Sequence, residues 1–151
     1  MTAELDSISA LIAPHLGREG PLLPILHDIQ GAYGHIPDAA LPVIADALNL
    51  IRAEVHGVVS FYHDFREAPA GKHMLKICRA EACQAMGGAA NADALLKALG
   101  TDWHGTTAQG VTVEPVYCLG LCACAPAAML DDRVIGRATP ARVQKALEGT
   151  A

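Results

Sequence analysis

Four of the five cysteines stand in two short-spaced pairs. Cys78 and Cys83 have four residues between them, Cys118 and Cys122 have three, and thirty-four residues separate the pairs. Each pair begins where an apolar, strand-like run ends, so two neighbouring strand ends can present four sulfurs to one site. Thiolates suit iron–sulfur clusters, zinc and Cu(I). A [2Fe–2S] core takes two ligands per iron, which matches two separated pairs. Gly87-Gly88 follows the first pair and Gly120 lies inside the second; glycine lets the backbone turn tightly enough for N–H groups to face sulfur and tune a cluster. Zinc competes, although its four-cysteine sites usually carry C-x2-C knuckles. Separate unliganded thiols are the third reading. No histidine flanks either pair, against a Rieske site, and no C-x-x-C is present, against a thioredoxin-type dithiol. Cys124, two residues past Cys122, reads as a small buried hydrophobe.

The remaining composition narrows the setting. The chain has 151 residues, 52% hydrophobic and 18% charged, enough apolar material for a packed core and too little charge for disorder. Net charge is −5, and residues 1–66 hold three basic and eight acidic side chains. An acidic chain without basic runs is a poor match for nucleic acid. The acidic start, Met1-Thr2-Ala3-Glu4-Leu5-Asp6, differs from the basic opening of targeting peptides, and no run of 18 apolar residues exists to span a bilayer. The expected compartment is the cytoplasm, where clustered cysteines point to metal or redox chemistry rather than disulfides.

Two blocks succeed one another. Residues 1–66 read as a helical bundle. A weak amphipathic stretch around Leu5–Leu16 precedes a helix opened by Gly20-Pro21, with Leu22, Ile25, Leu26, Ile29 and Tyr33 on one stripe. Asp38 is the expected cap of a helix carrying Leu41, Ile44, Ala45 and Leu48, with Pro42 near its first turn. Val55, Val58, Val59 and Tyr62 form a last stripe. Phe61-Tyr62 is expected in the core, and His56 and His63 on one helix face. Ala68-Pro69-Ala70-Gly71 reads as a linker. Residues 67–151 read as β-α-β-β-β-α. A strand at His73–Cys78 is followed by a helix at Ala89–Leu99 and a strand from Val111 towards Cys118. A hairpin at 128–136 turns through Asp131-Asp132, and Pro140 opens a final helix.

Arg79 and Glu81, between the first two cysteines, read either as groups near a cluster or as ordinary loop residues, and Trp103 as packing. No Ser-His-Asp set, P-loop or GxGxxG appears, so no catalytic residue and no nucleotide site is expected in this chain.

These motifs together resemble a known family. Gly34-His35-Ile36-Pro37, the stretch from Val55 to Tyr62, the Cys78/Cys83 pair and Cys118 to Pro126 occur in the order found in thioredoxin-like [2Fe–2S] subunits of NADH-oxidising complexes, over about residues 20–147. That family includes the 24-kDa subunit of complex I, the matching subunits of NAD-linked hydrogenases, and the gamma subunit of soluble NAD-dependent formate dehydrogenase. The chain looks most like the last of these, on its brevity and on Ala123-Cys124-Ala125-Pro126. The resemblance implies an α+β chain: an N-terminal helical bundle, then a thioredoxin-like α/β domain whose ligands are Cys78, Cys83, Cys118 and Cys122. It implies one [2Fe–2S] cluster, with FMN and NAD in a flavoprotein partner and a molybdenum- or tungsten-containing subunit in the same complex. The role implied is electron transfer.

Overall fold

The computed structural model describes residues 2–150; Met1 and Ala151, the outer ends of the two expected blocks, lie outside the described residues. The chain divides into two compact units, one ending at Pro69 and the other beginning at Ala70.

The first unit is helical: α1 (Thr2–Ile12), α2 (Leu22–Tyr33), α3 (Ala40–Leu48) and α4 (Arg52–Phe61), with a 3-10 turn at Ala13–His15. Residues spaced three and four apart supply its core: Ile8 and Ile12, then Ile25, Leu26 and Ile29, then Leu41 and Ile44, then Val55 and Val59. His15 is a buried tie between segments. Arg18 donates to its Nδ1 at 3.3 Å, which leaves Nε2–H to donate to Asp28 at 2.6 Å.

Three local expectations are corrected here. Asp38 does not cap α3; the preceding residue is Ala39 in helical conformation, and no side chain caps that end. Pro42 is therefore the third helical residue, where its missing N–H has no intrahelical partner to lose. The start of α4 is instead secured from inside, with Glu54 accepting from the Ile51 N–H at 2.9 Å. Phe61 and Tyr62 are not core: they are 72% and 44% exposed, edge to face at 5.2 Å. The helix ends at Phe61, and Gln30 pins the next residues by donating to Asp64 O and accepting from Arg66 N. That path buries Phe65 against His27 and leaves the two preceding rings outside. His63 consequently lies beyond α4 rather than on one face with His56, which pairs with Glu67 at 3.2 Å.

The second unit contains β1 (His73–Cys78), α5 (Glu81–Ala85), α6 (Gly88–Leu99), β2 (Val111–Val116), β3 (Ala127–Leu130), β4 (Arg133–Gly136) and α7 (Pro140–Glu148). The four-stranded sheet has the order β2-β1-β3-β4, so this unit is mixed and the whole chain is α+β. β1 and β2 are parallel, joined by a crossover through α5 and α6, while β3 and β4 run antiparallel to their neighbours. Leu75 and Val113, both fully buried, face Leu95, Ala128, Leu130 and Val143 in a single core. β2 is an edge strand, which explains how Pro115 fits: it needs no outward ladder bond. Further up the same edge, residues 104–107 do pair with β2, with His104 N–H bonding Val113 O and Thr107 N–H bonding Val111 O. Thr139 caps α7 by accepting from the Arg142 N–H, and Pro140 sits at its first position.

Candidate metal centre

The parallel register of β1 and β2 places the site. Cys78, the last residue of β1, is paired with Val116, the last of β2, and the Arg79 N–H continues the ladder to Val116 O at 2.7 Å. Both strands therefore end at one edge of the sheet, and Cys118 follows two residues beyond that edge.

Cys83 is brought back by α5, a helix of 5 residues that hydrophobic periodicity does not reveal. Its approach to α6 is close. A Cβ on Gly88 would stand 2.5 Å from the Cys83 carbonyl oxygen, so only glycine fits. Cys78 and Cys83 are buried, in a small apolar cluster with Ala125 and Ala127, against which Ala80, Val116, Leu119 and Leu121 pack.

The second pair is arranged differently. Cys118 and Cys122 are exposed, and their sulfurs are 3.8 Å apart. Two thiolates each ~2.3 Å from one tetrahedral metal stand ~3.8 Å apart, so this couple is already spaced for a shared ion. The turn between them is tight: Cys118 has φ 137° and Gly120 φ 73°, and the Gly120 N–H donates to Cys118 Sγ at 3.3 Å. A 3-10 turn, Cys122–Cys124, follows, and the Ala125–Pro126 peptide is cis.

Electrostatics link the couples. Burial pushes the Cys83 thiol up, its bond with Cys78 adds to this, and the Ala127 backbone pulls it back; the Cys122 sulfur contributes as well. The Cys122 thiol is raised chiefly by its bond with Cys118, and Cys78 adds to the effect. A bound cation would stabilise the thiolate forms of Cys83 and Cys122 against these effects, and its uptake would release their protons. The donor set thus fits a thiolate-bound group. Among the described residues no group of three or more His, Cys, Asp or Glu side chains surrounds one point; the sulfurs are grouped in twos.

Nearby residues have contacts and exposures of their own. The Arg79 guanidinium lies 5.1 Å from the centre of the Trp103 ring, and Trp103 packs on the core of this unit. Glu81 is exposed in the first turn of α5. Cys124 departs from expectation: it is exposed, not buried. Its Cβ lies 2.9 Å from where a Gly136 side chain would start, so β4 approaches it closely at that point. Sequence reasoning missed α5, the Gly88 contact and the positive φ of Cys118; only the glycine doublet hinted at the second of these.

Comparisons with known proteins agree with this geometry. Residues 8–151 match the thioredoxin-like [2Fe–2S] ferredoxin family. The chain is 34% identical over 131 residues to NADP-reducing hydrogenase subunit HndA of Solidesulfovibrio fructosivorans, covering 86% of this chain and 77% of that one. It is 37% identical to a subunit of the NADH-quinone oxidoreductase of Pseudomonas aeruginosa, covering 80% of this chain and 73% of the relative. In the crystal structure of the air-oxidized NAD+-reducing [NiFe]-hydrogenase the same fold recurs with TM-score 0.68 and 28% identity, over 84% of this chain but 22% of the hydrogenase chain. No helix among the described residues is long and apolar enough to cross a membrane. On its sequence match and its fold, the chain belongs to the thioredoxin-like [2Fe–2S] ferredoxin family.

Proposed function

We propose that Cys78, Cys83, Cys118 and Cys122 hold the family's [2Fe–2S] cluster, two thiolates on each iron, and that the chain is an electron-transfer subunit of a cytoplasmic NAD-linked oxidoreductase. The carrying observation is the parallel register that ends β1 and β2 side by side, with one cysteine couple already 3.8 Å apart. When bound, such a cluster takes up and releases single electrons. The chain's own part is to shut Cys78 and Cys83 away from water, to hold the Cys118 turn, and to leave one edge of the site open to a partner. That partner is a flavoprotein subunit holding FMN and NAD(H), where two-electron hydride chemistry meets one-electron transfer.

Among parent complexes, the relatives favour a hydrogenase or an NADH-quinone oxidoreductase. Ala123-Cys124-Ala125-Pro126 supports a second reading, the gamma subunit of formate dehydrogenase with a molybdenum or tungsten subunit in the complex. Protein purified anaerobically should be brown, hold two irons and two sulfides per chain, and give an EPR signal on reduction, as a [2Fe–2S] site requires. Colourless protein with one zinc per chain would overturn the cluster reading. Metal analysis of the untagged complex that co-purifies with the chain separates the parents: nickel supports a hydrogenase, molybdenum or tungsten the formate enzyme.

A further inference from the structure

We propose that Gly120 is a positioning residue that sets the reduction potential of the cluster, by holding its own N–H on the Cys118 sulfur. This rests on the ligand assignment proposed above.

Gly120 donates its N–H back over two residues to Cys118 Sγ at 3.3 Å, and its φ of 73° is what lets the chain turn on towards Cys122 with that amide kept in place. Nothing lies within 4 Å of where its Cβ would be, so packing is not what demands glycine here. The demand comes from the backbone, since β-branched residues are essentially excluded from this region while asparagine tolerates it. An amide that donates to a ligand sulfur favours the more negatively charged, reduced form of a cluster and so raises its potential. Cys118 is exposed, so the neighbouring apolar side chains do little to strengthen or replace that dipole. Cys83, by contrast, is buried and already has the Ala127 backbone beside it. The Gly120 bond is therefore a contact to sulfur that a single side-chain choice can switch.

Redox titration of the loaded protein, followed by EPR, tests this. Gly120→Val should lower the equilibrium constant for reduction about tenfold, which for a one-electron couple is about 59 mV more negative. Gly120→Asn should stay with wild type. A loaded Gly120→Val protein with the wild-type potential would overturn the proposal, as would equal shifts in both variants. If Gly120→Val does not assemble, labelling decides. Reduced wild-type protein grown with [15N]glycine should show a nitrogen coupling to the cluster that Gly120→Asn, labelled the same way, lacks. Identical spectra would overturn the proposal. Failure of the ligand assignment itself looks different, because wild-type protein would then lack two irons and any signal.

Discussion

At the scale of single residues, the first and last cysteines of the chain's final motif have separate fates. Cys118 shares a 3.8 Å sulfur contact with Cys122 and receives an amide proton, whereas Cys124 faces Gly136 on β4. Cys118→Ser should therefore lose or distort the cluster while Cys124→Ser keeps two irons per chain. Iron content and the reduced EPR signal of both variants check this, and equal losses would contradict it. The spacing of the cysteines along the chain was enough to single out four candidate sulfurs, because ligand pairs must be close in sequence wherever a tight turn supplies them. It did not distinguish a buried Cys124 from an exposed one, since that depends on how β4 returns to the turn. Phe61 and Tyr62 were misread for a related reason: aromatic character argues for burial, yet α4 ends at Phe61 and the Gln30 bonds fix the direction the chain then takes.

At the scale of elements, periodic runs were legible and short connectors were not. β4 at Arg133–Gly136 and β1 at His73–Cys78 fall where alternation placed them, while α5 is too short to show a period. What locks β1 to the β3–β4 hairpin is a turn residue. Asp131 accepts from the Met74 N–H and pairs with His73, each at 2.8 Å, and its own N–H bonds Met74 O. Burial alone would push the Asp131 carboxyl up, but the Met74 amide and then His73 together hold it below its ordinary value. A carboxyl depressed by folding stabilises the protein above its unfolded pKa, ~3.9, and that contribution disappears as pH falls through the lower, folded value. Asp131→Asn should thus be less stable than wild type at neutral pH, and the gap should narrow in acid. Urea unfolding at pH 7 and near pH 3 measures this; a gap independent of pH would count against the role.

At the scale of the whole molecule, residues 70–151 have their own core, around Leu75, Val113 and Val143, and contain all five cysteines. We expect a fragment of those residues to fold alone and to take up two irons, with circular dichroism and iron analysis as the measurements. A fragment that folds but binds none would show that the first unit is needed for assembly. The contrast between a buried couple and an exposed one has a further consequence. Oxygen, peroxide and chelators meet the sulfurs of Cys118 and Cys122 first, so damage to the centre would proceed from one side. The iron on the open side would be stripped while its neighbour is still gripped, and a worn protein would pass through a half-dismantled stage that a docked partner, covering that edge, would prevent.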